Sequence, residues 1–60
     1  MEHIGQNIKK LRTAKNITQE QLANSLHISS QAVSKWEKEQ AYPDIALLPM
    51  IADYFSVSMD

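Results

Sequence analysis

Residues 18–37 read TQEQLANSLHISSQAVSKWE and describe two short helices joined by a tight turn, each with its own start signal. Thr18 and Gln21, three residues apart, make a capping box, in which each side chain accepts the other's backbone N–H. Ile17, just before the cap, can pack on Leu22 as a hydrophobic staple. Ser29 repeats the cap for the next helix, and Ile28 with Val33 repeats the staple. Leu22, Ala23 and Leu26 form the inward stripe of the earlier helix; Val33 and Trp36 form that of the later one. Ala23 is small enough to let the later helix cross closely. Trp36 reads as a core anchor. His27 lies in the turn, where a positive φ is expected. Glycine takes that conformation most cheaply, and His enters it more readily than most other residues.

Helical periodicity continues on both sides. Ile4, Ile8 and Leu11 recur at i, i+4 and i+7, one face of a helix over residues 4–15. Arg12 sits beside that stripe, and Asn16 can close the helix in the left-handed conformation. After Glu39 the pattern breaks at Ala41-Tyr42-Pro43. A last apolar face follows, made of Leu48, Ile51, Ala52 and Phe55. Pro49 is tolerated only in a first turn, so this helix is expected to start near Leu47 or Leu48, after an irregular or 3₁₀ turn over residues 44–47. Ser56-Val57-Ser58 is expected to end it, with Met59 and Asp60 opening a further element. The fold class is therefore all-α, a compact bundle of four to five short helices forming one domain over residues 1–60, with its central unit at residues 18–38.

Composition narrows the function. No cysteine is present, so disulfides and thiolate metal sites are excluded. His3 and His27 are far apart in sequence, and no metal or cofactor site is expected. No apolar run reaches membrane-spanning length and no signal peptide opens the chain, which leads to the expectation of a cytoplasmic protein. Gly5 is the single glycine, which rules out a phosphate-cradling glycine loop. Without a nucleophile–base pair or a carboxylate pair, no enzyme is expected. Charge is divided unevenly: residues 1–38 carry a net +3, whereas residues 39–60 carry four acids and no Lys or Arg. The first half can offer a positive docking face, the second an acidic back.

The outer face of the later helix in residues 18–37 holds Ser30, Gln31, Ser34 and Lys35. A Gln amide both donates and accepts, which matches adenine N6 and N7, and Lys donates to guanine O6 and N7. The serine hydroxyls can bond a base, a phosphate or their own backbone. Gln19, at the start of its helix beside free N–H groups, is placed to meet a phosphate, and Lys38 adds a cation at the far end. The plainer reading of these side chains is a solvated polar surface. Their convergence behind a doubly capped turn favours base reading.

These segments together resemble the helix-turn-helix domains of the phage repressor and Cro-like, or xenobiotic-response-element, family. The likeness runs from Ile4 to Val57. It is strongest in Thr18-Gln19-Glu20-Gln21-Leu22-Ala23, in Ile28 to Glu37, in Tyr42-Pro43-Asp44 and in Ile51-Ala52. The resemblance implies a third helix in the major groove, with Ser30, Gln31, Ser34 and Lys35 facing bases and Gln19 gripping a phosphate. It also implies an internal salt bridge between Arg12 and Glu37, and core positions at Ala23, Val33 and Trp36. The expected function is sequence-specific double-stranded DNA binding by a transcription regulator, a repressor by analogy. Its expected form is a homodimer on a pseudo-palindromic operator. The alternative is a protein-interaction module of the same fold, such as an antitoxin or regulatory subunit. Three departures stand out. His27 and Glu39 occupy positions where the family favours glycine, and the family's final helix is missing. The last point leads to the expectation of a domain excised from a longer chain, with dimer contacts beyond residue 60.

Overall fold

The computed structural model describes residues 3–56. They form α1 (Ile4–Ala14), α2 (Gln19–Leu26), α3 (Ser30–Glu37), a 3₁₀ turn (Ile45–Leu47) and α4 (Leu48–Phe55), within 24 × 23 × 20 Å. Among the described residues there is no strand. One core gathers Ile4 and Ile8 from α1, Leu22, Ala23 and Leu26 from α2, Val33 and Trp36 from α3, and Ile51 and Phe55 from α4. The all-α bundle of four to five short helices read from the sequence is observed with four α-helices over the described residues.

The helix starts follow local chemistry. Thr18 Oγ1 accepts the Gln21 N–H at 3.0 Å, while Gln21 Oε1 accepts the Thr18 N–H at 2.8 Å. Ser29 Oγ accepts the Ala32 N–H at 3.2 Å. Pro49 lies in the first turn of α4, where its missing N–H costs nothing. Asp44 caps the 3₁₀ turn that precedes it, its Oδ1 accepting the Ala46 N–H at 3.0 Å.

The helix ends share one device. α1, α2 and α3 are each followed by a left-handed residue, Asn16 (φ 57°), His27 (φ 60°) and Glu39 (φ 61°). In each case the next residue's N–H reaches back five positions: Ile17 to Arg12 at 3.0 Å, Ile28 to Ala23 at 3.0 Å and Gln40 to Lys35 at 2.9 Å. This is the Schellman closure, usually built on glycine, and here it is built three times without one. Ile17 and Ile28, the residues after the left-handed positions of α1 and α2, are partly buried against the core, where the motif commonly places an apolar side chain. α4 ends at Ser56, which also has positive φ (55°). Val57 and Ser58, and the further element expected from Met59 and Asp60, lie outside the described residues.

Gly5, the single glycine, has a packing role that its place in the sequence does not announce. A Cβ built on it would lie 1.7 Å from the Trp36 carbonyl oxygen. α1 and α3 therefore meet backbone to backbone, which fixes the position of α3 within the bundle.

Candidate nucleic-acid interface

α3 turns Val33 and Trp36 inward, at 0% and 4% exposure, and this orients its other face. Gln31 and Lys35 are exposed on that face, one helical turn apart, with Ser30 and Ser34 half-buried beside them. Lys38, directly after α3, is exposed. Among the described residues the ion pair is Arg12–Glu37, so Lys35 and Lys38 keep their charges free for an outside partner. The structure brings five of the six residues expected to meet nucleic acid onto or beside the outward side of one helix.

The sixth, Gln19, is held differently. It is half-buried as the first residue of α2, and its Nε2 donates to Glu37 Oε1 at 3.0 Å. Glu37 also receives Arg12 in a two-pronged grip, Nε to Oε2 at 2.7 Å and Nη2 to Oε1 at 2.9 Å. Arg12 Nη1 donates to the Ile17 carbonyl at 2.8 Å. The side chains of Arg12 and Glu37 are 13% and 4% exposed, so the network is largely withdrawn from water. Burial alone would raise the Glu37 carboxyl. The hydrogen bonds from Arg12 and Gln19, with the charges of Arg12 and Lys9, outweigh it and hold the group below the usual carboxylate range. The same hydrogen bond from Arg12 to Glu37 raises the guanidinium's affinity for its proton. One carboxylate at the end of α3 thus ties together α1, the α1–α2 junction and the start of α2.

The contact between Gln19 and Glu37 has no sequence signature, because the two residues are brought together only by the crossing of α2 and α3. His27 is exposed and closes α2; its backbone conformation, not its ring, is what the turn uses. Among the described residues no three His, Cys, Asp or Glu side chains gather as a metal ligand set. Nor is any helix there long and apolar enough to cross a membrane.

Known proteins share this pattern. The helix-turn-helix family profile matches residues 8–60. The HTH-type transcriptional activator BcrR of Enterococcus faecalis is 49% identical over 53 residues, 88% of this chain and 26% of that protein. The SPbeta prophage-derived uncharacterized HTH-type transcriptional regulator YonR of Bacillus subtilis (strain 168) is 36% identical over 56 residues, 93% of this chain and 52% of that protein. The chain thus spans about a quarter and about half the length of these relatives. With the profile covering most of its length and the two-helix unit intact, the chain belongs to the Cro and phage-repressor type of helix-turn-helix family.

Proposed function

We propose that this chain is the sequence-specific double-stranded DNA-binding domain of a transcription regulator, with α3 entering the major groove. The observation that carries the reading is the outward face of α3. Gln31 and Lys35 stand exposed on a helix whose opposite side is locked by Val33, Trp36 and the backbone contact at Gly5. A rigid helix with side chains suited to adenine and guanine is what direct readout requires. Ser30 and Ser34 line the same face as shorter hydrogen-bonding groups. Gln19 and Lys38 contact phosphates on either side and set register without specifying sequence. The names of both relatives as transcriptional regulators support the reading.

One such domain reads few base pairs, so the working form is a homodimer on a pseudo-palindromic site. The domain determines where the protein sits. Whether it represses, by covering a promoter, or activates follows from the position of that site, and one relative is named an activator. Steric repression is the effect proposed for an operator that overlaps a promoter.

Selection of bound sequences from random duplex DNA tests the proposal. The expected result is a pseudo-palindrome with half-sites about one helical turn apart. Binding should weaken steeply as salt rises, by about 0.9 log units in affinity per log unit of salt for each phosphate neutralised. Failure to enrich any sequence would overturn it. A protein-interaction role would then gain support from Tyr42, Ile45 and Met50, apolar side chains left exposed on the cation-free half.

A further inference from the structure

We infer that Glu37 is a positioning residue for DNA binding, acting through Gln19; this rests on the DNA-binding reading above. Arg12 already grips both oxygens of the Glu37 carboxylate, yet Oε1 takes a third donor, Nε2 of Gln19, at 3.0 Å. A side-chain amide can face a partner with its nitrogen or with its oxygen. A carboxylate 4% exposed admits only the nitrogen, since the amide oxygen would meet it with like charge. Glu37 therefore selects one of the two orientations of the Gln19 amide. The second N–H on that nitrogen is directed away from the carboxylate and remains free to donate.

The place where this happens matters. Gln19 opens α2, where the first N–H groups of a helix lack partners within it. Thr18 takes the N–H of Gln21 through its hydroxyl and that of Leu22 through its carbonyl, which leaves the backbone N–H groups of Gln19 and Glu20 at the helix end. The positive charge of Lys9 also favours the ionised form of the Glu37 carboxylate. Glu20, exposed in the first turn, repels a phosphate approaching this end. Against that repulsion a neutral amide helps only if its N–H, and not its carbonyl oxygen, meets the phosphate. Glu37 holds it so. Because Glu37 is also the last residue of α3, one carboxylate fixes the phosphate contact and the end of the reading helix relative to each other.

The experiment is a double-mutant cycle on DNA affinity. This chain, Gln19→Ala, Glu37→Gln and the double variant are titrated with a short random-sequence duplex at one low salt concentration, with Trp36 fluorescence checking that each is folded. Gln19→Ala should weaken binding on the order of tenfold, the loss of a hydrogen bond to a charged group. Glu37→Gln lets the Gln19 amide adopt both orientations and should weaken binding about twofold, as the competent fraction falls to about one half. In the Gln19→Ala background the same change should leave binding unchanged or tighter, because only a negative charge is then lost. Glu37→Asp keeps the charge but withdraws it by one methylene, and should show the same dependence on Gln19 if Glu37→Gln does not fold. Equal losses in both backgrounds would overturn the inference and reduce Glu37 to an interhelical tie. An unchanged affinity for Gln19→Ala would overturn it while leaving DNA binding standing. No affinity of the parent chain for duplex DNA would remove the functional reading itself.

Discussion

The stretch from Ile4 to Glu37 and the stretch from Gln40 to Phe55 share one core but use their polar groups differently. In the first, Arg12, Gln19 and Glu37 are drawn inward and bonded to one another, and α1 touches α3 through bare backbone at Gly5. In the second, Ile51 and Phe55 fill the core, while Tyr42 and Ile45 remain 70% and 80% exposed. α3 lies close to both α1 and α2, whereas the close backbone neighbours of α4 are chiefly those of its own 3₁₀ turn. The first stretch holds a face in a fixed orientation, and small errors there displace α3. The second supplies apolar volume through side chains, which tolerate small shifts.

The sharpest break in that contrast is Gly5→Ala. The added methyl would sit 1.7 Å from the Trp36 oxygen, and backbone cannot rotate aside as a side chain can. A domain this size has about 3–9 kcal/mol in total. Overpacking against backbone is expected to cost about 3 kcal/mol or more, well above the gain in helix propensity from alanine of about 1 kcal/mol. Urea unfolding followed by Trp36 fluorescence measures it. A loss below 1 kcal/mol would mean that α1 slides on α3, and that the first stretch is as tolerant as the second.

Next in size is the ion pair. Removing either Arg12 or Glu37 by alanine leaves the other charge with few replacements for its partner, and should cost about 3 kcal/mol. The double variant should cost less than the sum of the two, with a coupling of about 1–3 kcal/mol. The pH dependence follows from the same contact. The folded state holds the Glu37 carboxyl below its ordinary value, so it binds this proton less readily than the unfolded chain. The stabilisation is therefore complete above the unfolded carboxylate pKa and fades as pH falls through the depressed folded one. Unfolding measured from neutral to acid pH should show that loss in the parent chain, and a smaller one in Glu37→Gln. Equal slopes would show that the carboxylate carries no linkage.

The sequence made these two features unequally visible. Caps and breakers act over three or four residues, so Thr18, Gln21, Ser29 and Pro49 announce their helix starts, and the 3₁₀ turn observed at Ile45–Leu47 falls inside the range read for it. Positive φ at His27 follows from the tightness of the turn. The pairing of Arg12 with Glu37 is implied by family resemblance, not by spacing, since 25 residues separate them. Gly5 against Trp36 and Gln19 against Glu37 depend on where helices cross, which no local pattern encodes. Pro43 is buried although its neighbour Tyr42 is exposed, again a consequence of how the chain returns to the core.

A smaller effect is expected at the outer face of α3, and on binding instead of folding. Gln31→Ala and Lys35→Ala should leave unfolding unchanged, because both side chains are exposed. Each should weaken binding to the selected site by about 1–3 kcal/mol, with less effect on random duplex. Lys38→Ala should weaken both alike, as a phosphate contact does. Titrations on the two duplexes compare them, and equal losses for Gln31→Ala on both would remove α3 as the base reader.

The smallest effect uses the left-handed closure found inside the first stretch, at His27, and at the boundary between the two, at Glu39. His27 and Glu39 close α2 and α3 in the same left-handed geometry, at φ 60° and 61°. A side chain there costs about 1–2 kcal/mol, and glycine would remove that strain while adding about 0.5–1 kcal/mol of unfolded-state entropy. His27→Gly and Glu39→Gly should therefore each raise stability by up to about 1 kcal/mol. Their effects on DNA should part. His27→Gly removes no fixed charge, whereas Glu39→Gly removes a negative one just past the reading helix and should tighten binding to random duplex at low salt. Thermal unfolding and duplex titration of the two variants make the comparison. Clear destabilisation of His27→Gly would show that the imidazole itself supports the turn, and unchanged duplex affinity for Glu39→Gly would place that loop away from the phosphates.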